Sequence, residues 1–267
     1  MYTFAYQRPN TVQSAVDCLR ENDEAKLIAG GHTLVPVMKQ RLVNPSVLID
    51  LSRLEELRRI EKSGQDLLVG ATSTHAEVAG SAIVAETNPA LAELAGSIGD
   101  PAVRHRGTIG GSLANNDPTA DYPAAVLALN ATIVTNKRSL EPEQYFRGLF
   151  TTALDIDEII TCVKFPHWTR TAYQKFRNPA SRYALVGVFV ARRTSEVRIA
   201  VTGAGSDGVF RLTAFEDALQ ERFSLKALEK LSVSPAGLNS DVHGSAEYRA
   251  HLVGVLTRRA VAIALES

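Results

Sequence analysis

Two glycine-rich stretches hold the residues best suited to chemistry. The first is Ala29-Gly30-Gly31-His32-Thr33-Leu34, directly after the short apolar run 26–29. Glycine permits positive φ and close approach of backbone to a ligand. Successive amide N–H groups in such a turn can converge on an anion as a nest, and the Thr33 hydroxyl adds a donor. The second stretch spans Gly107 to Pro118 and is centred on Thr108-Ile109-Gly110-Gly111-Ser112. It repeats the ingredients, and Asp121 follows, placed to accept hydrogen bonds from ribose hydroxyls. Neither turn has Lys or Arg at its centre, so the pair suggests a pyrophosphate held by backbone amides from two sides. Taken singly, each turn is equally an ordinary Gly-Gly connection. Arg104, His105 and Arg106 lie just upstream and either add positive potential or form a solvated face.

A third cluster, Gly203-Ala204-Gly205-Ser206-Asp207-Gly208, has the letters GxGxxG. In the dinucleotide fingerprint a helix opens within that motif. Here Val209 to Leu212 intervenes as a strand, and the next helix is expected to cap at Thr213 with Glu216 at capping-box spacing. The cluster is therefore read as a hairpin turn. The alternative is a nicotinamide site.

Other chemistry is sparse. His75, His167, His243 and His251 lack metal-ligand spacing, so no metal site is assigned. His32 reads as a loop histidine. No Ser-His-Asp or Cys-His pattern occurs, and no catalytic residue is assigned. A cofactor site without acid–base machinery suits electron transfer, where the cofactor carries the chemistry.

The positioning elements can be sketched. A helix is expected over 11–21, with Val12, Ala15, Val16 and Leu19 on one face. Strands are expected at 26–29, 47–51 and 66–71. Thr74 and Glu77 open a helix by capping-box spacing, and 88–98 forms another. Residues 99–121 read as one long polar loop, which in a compact domain is a functional feature. A helix over 124–129 and strands at 131–135 and 158–165 follow. A boundary falls around 166–170. Beyond it lie strands at 173–176, 183–191 and 196–202, then helices at 213–223, 224–231 and 246–265.

Bulk properties exclude other classes. Lys plus Arg equals Asp plus Glu at 29 each, which gives no electrostatic case for nucleic acid. No apolar stretch reaches the length of a membrane span. The start, MYTFAYQRPN, does not resemble a signal peptide, so a cytoplasmic location is expected. The two cysteines, Cys18 and Cys162, are too few for an iron–sulfur cluster held by this chain alone.

AGGHTLVPVMKQRL (29–42) and GDPAVRHRGTIGGSLANNDPTADYPAA (99–125) resemble the two FAD signatures of the medium subunit of molybdenum hydroxylases, the carbon monoxide dehydrogenase and xanthine dehydrogenase type. Three further segments, 146–166, 173–191 and 247–260, resemble later parts of that family in the same order. The resemblance implies an α+β fold: a two-part FAD-binding domain of the vanillyl-alcohol-oxidase type over 1–168 (subdomains about 1–53 and 54–168), then a smaller α+β domain over 171–267. It implies FAD as cofactor, with Ala29 to Leu34 and Thr108 to Ser112 around the diphosphate and Asp121 near the adenosine part. Ile98 and Ile160 would line the channel, and Lys175 and Tyr183 would stand near the isoalloxazine. The implied partners are a large molybdopterin subunit and a small [2Fe-2S] subunit, in a dimer of heterotrimers that passes electrons to an external acceptor. A stand-alone flavin-dependent oxidoreductase is the alternative. Ser112 departs from the asparagine that many relatives carry, although a hydroxyl can still donate. The absence of a cysteine-rich insertion argues against an additional iron–sulfur cluster.

Overall fold

The computed structural model describes residues 1–266. The chain builds three sheets, each with its own helices. The first comprises β1 (Ala5–Gln7), β2 (Lys26–Ile28) and β3 (Val47–Asp50), all parallel with β3 central, together with α1 (Val12–Glu21) and α2 (Leu34–Lys39). Thr11 caps α1 through a capping box with Ser14, and the helix buries Ala15, Val16 and Leu19 against β3. That is the face expected from the spacing. A short turn of 3-10 helix, Glu55–Leu57, leads out of this unit.

The second unit begins with β4 (Ile60–Ser63) and β5 (Asp66–Gly70). A helical run follows: α3 (His75–Gly80), α4 (Ala82–Thr87), α5 (Pro89–Ser97), α6 (Pro101–Arg104), α7 (Ile109–Asn115) and α8 (Tyr122–Ala128). Then come β6 (Thr132–Thr135), β7 (Ser139–Leu140), α9 (Pro142–Tyr145) and β8 (Ile160–Phe165), and the five strands pair in the order β4-β5-β8-β6-β7. Thr74 and Glu77 form the expected capping box on α3. Residues 99–121 are not one loop. They contain α6, capped by Asp100, and α7, capped by Thr108. A helix that opens on Ile-Gly-Gly has poor intrinsic propensity, so contacts from outside must hold it.

The last unit is an antiparallel meander, β9 (Arg170–Arg177), β10 (Ala184–Arg193), β11 (Glu196–Thr202) and β12 (Phe210–Arg211), backed by α10 (Thr213–Glu221) and α11 (Ala246–Glu266). A 3-10 turn, Leu225–Leu228, replaces the expected helix over 224–231. The GxGxxG segment is the β11–β12 connection, a hairpin turn as read. Thr213 is not the cap of α10. Leu212 holds that position without a side-chain bond. Glu216 instead accepts from the Ile199 amide at 2.7 Å and from Arg211. One face of the meander packs Val186, Val188 and Val190 against α11. Its other face sends Phe189, Ala191 and Ala200 into the core of the second unit, so α8 and this sheet share an interior. Among the described residues no helix is long and apolar enough to cross a membrane.

Candidate functional site

Strand β2 delivers the chain to the first glycine turn. Gly31 takes φ +73°, the left-handed region that glycine tolerates, and α2 starts three residues later. Among the described residues, nothing accepts a hydrogen bond from the amides of residues 30–34. Thr33, at the N-cap of α2, forms no side-chain cap bond. Five backbone donors in a row are thus unspent, as an anion site at a helix start requires.

The second turn differs. The Ile109 amide donates to Ser73 O at 3.1 Å and the Gly110 amide to Ala71 O at 2.8 Å. The Gly111 amide is capped by Thr108 Oγ1 at 3.1 Å, and the Ser112 amide donates to Thr108 O at 3.0 Å. Its donors are committed inside the protein, so amides offered from two sides are met on one side only. What this turn supplies is closeness. A Cβ on Gly110 would stand 2.6 Å from Ala71 Cβ and 2.7 Å from Ala71 O. The two turns also touch, for a Cβ on Gly30 would stand 2.2 Å from Arg106 O.

Between the turns lies a cleft of about 590 Å³, within the range of small-molecule sites. Ala29, Gly30, Gly31, His32, Thr33 and Leu34 line one side, and Thr108, Gly110, Gly111 and Ser112 the other. Ile98 and Ile160 form apolar wall, and Asp121 and Tyr183 lie toward the meander. Two predicted residues do not reach it. Ile109 is fully buried in the core of the second unit, because its place in the first turn of α7 turns it inward. Lys175, on β9, is also buried and donates to Asp121 Oδ2 at 2.9 Å. That bond holds its ammonium behind the cleft-lining Asp121. Asp121 accepts from Tyr173 through its other oxygen. Its carboxylate is therefore anchored to the meander, and a role as a free ribose acceptor is reduced.

The sequence reading missed the third wall. Ala71, Thr72 and His75 line the cleft, and the His75 amide donates to Gly107 O at 2.9 Å. The available signal was the Thr74–Glu77 capping box, which sets His75 on the first turn of α3 beside the second glycine turn. Burial, with His32 and the Arg104 guanidinium nearby, pushes the His75 imidazole down to about 4, so it is neutral near pH 7. Partial burial, with Asp117 and Asp121 nearby, raises Tyr183 above its ordinary value and keeps its hydroxyl protonated. Among the described residues no group of three or more His, Cys, Asp or Glu is placed to hold a metal.

An apolar-walled cleft with a row of unspent amides fits a dinucleotide with an anionic middle. Comparison with known proteins identifies the class. Residues 2–168 match the FAD binding domain in molybdopterin dehydrogenase, and residues 171–264 match the CO dehydrogenase flavoprotein C-terminal domain. The chain belongs to this family of FAD-binding oxidoreductase subunits, and its cofactor is FAD. It is 38% identical to the nicotine 6-hydroxylase medium subunit of Paenarthrobacter nicotinovorans, covering 96% of this chain and 95% of that one. It is 32% identical to the carbon monoxide dehydrogenase medium chain of Hydrogenophaga pseudoflava, over 97% and 96% of the two chains. A solved structure of carbon monoxide dehydrogenase from Hydrogenophaga pseudoflava superposes with a TM-score of 0.91 at 33% identity, covering 99% of this chain and 98% of that one.

Proposed function

We propose that this chain is the flavin-carrying electron-transfer subunit of a molybdenum-containing hydroxylase or dehydrogenase complex. It passes electrons from iron–sulfur clusters to an external acceptor. Its partners are a large molybdopterin subunit and a small [2Fe-2S] subunit, assembled as a dimer of heterotrimers. The carrying observation is the row of unspent amides at residues 30–34 beside the apolar cleft.

Bound FAD supplies reversible electron chemistry at its ring. The residues of this chain bind and orient it. The amides of Gly30 to Leu34 hold the diphosphate by pre-set donors aimed at negative charge. Thr108 and Gly110 to Ser112 close the cradle by shape, because the absent side chains let backbone approach. Ile98 and Ile160 exclude water along the channel. Asp121 would face the adenosine part, and Tyr183 would face the ring with its proton held on the hydroxyl. Ile109 and Lys175 act from behind the wall. In this reading residues 1–168 form the cofactor domain, and residues 171–267 form a second domain that backs it.

The test is direct. The protein purified with its accompanying subunits should show flavin absorbance and release FAD on denaturation. Gly31→Asp, which places a carboxylate among the amides, should abolish both. A protein that carries no flavin and takes up none from added FAD overturns the proposal.

A further inference from the structure

The GxGxxG turn has no cofactor role by its own context, yet it lies against the cofactor loop. The Gly203 amide donates to Pro118 O at 2.8 Å. Thr202 Oγ1 donates to Ala120 O at 2.6 Å and lies 3.1 Å from Pro118 O. Thr202 is fully buried. Asp117, Ala120 and Asp121 of this same loop line the cleft. The loop that closes the second glycine turn is therefore held from behind by the last residue of β11 and the glycine that follows it.

The turn is held in its place too. Arg249 of α11, 2% exposed, donates through Nη1 to Gly203 O and to Leu185 O, both at 2.9 Å, and through Nη2 to Asp241 at 2.7 Å. Gly203 takes φ +82°, and a Cβ there would stand 2.4 Å from Ala184 O. Residues 184 and 185 directly follow Tyr183, which lines the mouth of the cleft. One buried guanidinium and one glycine thus fix two walls at once, the 117–121 loop and the segment after Tyr183.

We infer that Thr202, Gly203 and Arg249 are positioning residues for the FAD site, fixing the 117–121 loop and the segment after Tyr183 where they line the cleft. The inference rests on the proposed function and deepens it. The meander then contributes to cofactor affinity through hydrogen bonds made to the loop, without touching the cofactor. Such bonds are expensive to leave unmade, because the buried carbonyl loses its donor.

The test uses the full chain with its accompanying subunits, depleted of flavin and titrated with FAD by flavin fluorescence. Thr202→Val keeps shape and removes the donor. It should weaken FAD binding about tenfold and alter the absorption band of the bound flavin. Thr202→Ser, which restores the donor, should return affinity to within about twofold of the parent. Thr257→Val is the control. It removes another fully buried hydroxyl, whose one hydrogen bond among the described residues is to Val253 O within α11 at 2.7 Å. It should lower thermal stability and leave FAD affinity unchanged. If Thr202→Val binds FAD like the parent, or Thr257→Val weakens binding equally, the positioning role is wrong. If the parent itself binds no FAD, the underlying function fails instead.

Discussion

The two glycine turns share composition and differ in how their amides are used. In the first, residues 30–34 keep their donors unspent and the chain bends through Gly31 at φ +73°. In the second, the donors of residues 109–112 are consumed by Ser73, Ala71 and Thr108, and glycine serves close packing. In the proposed reading one turn is an anion receptor, and the other is a structural knot that also lines the cleft. Glycine is required in both, for conformation and donors in one and for steric room in the other. Substitutions in and around the second turn should therefore cost stability first, and those in the first should cost cofactor affinity first.

The largest effect is expected where the second loop ends. Lys175 and Asp121 form an ion pair with both side chains 4% exposed. Lys175→Met leaves Asp121 buried without its cation, and breaking such a pair costs about 3–5 kcal/mol. Urea denaturation of the flavin-depleted protein should show this loss. An unchanged midpoint would mean the second loop is not anchored as described.

The next effect is a pH dependence from the third wall. His75 is held at about 4, against 6.5 in the unfolded chain. As pH falls through 6.5 the unfolded chain binds the proton and the folded chain does not, so stability is full above that value and declines toward pH 4. The linkage is worth about 3 kcal/mol over the whole window. Asp157 and Glu158, both held at about 2, give way only at lower pH. Denaturation at about pH 7 and about pH 5 measures the slope, and His75→Phe should flatten it.

A smaller loss is expected within the second turn itself. Gly110→Ala drives a methyl against the Ala71 carbonyl, which is backbone and cannot swing aside. Overpacking of this kind costs about 1–3 kcal/mol, and thermal unfolding without FAD should register it. If FAD affinity fell while stability held, the two turns would be alike after all.

Much of this arrangement was legible in the residues, and the failures have physical causes. The amphipathic face of 12–19 and the Thr74–Glu77 box announce their helices because local spacing decides them. Residues 109–115 hide theirs, since an Ile-Gly-Gly start is held by the Thr108 cap and by amides exported to Ala71 and Ser73. Lys175 is a cation in a strand, and nothing local says that Asp121 will capture it. Residues 203–208 carry the letters of a cofactor motif. Only the strand after them, and then the bond from Gly203 to Pro118, shows that they support the site from behind. Periodicity reports which face is buried but not where a backbone donor goes.

The finest comparison uses one residue from each turn. Thr33 and Thr108 both stand at helix N-caps, and their sequence contexts, a threonine beside paired glycines, look interchangeable. Thr108 Oγ1 accepts from the Gly111 amide at 3.1 Å, whereas Thr33 makes no cap bond. Thr108→Val should therefore lose about 1 kcal/mol of stability, the usual worth of a cap. Thr33→Val should lose only a few tenths, within the range of ordinary surface changes. With FAD present the order should invert, because Thr33 lies among the unspent donors and Thr108 has already committed its oxygen. Titration should find FAD binding weakened a few-fold by Thr33→Val and less by Thr108→Val. Equal stability losses in the two variants would erase the distinction between receptor and knot.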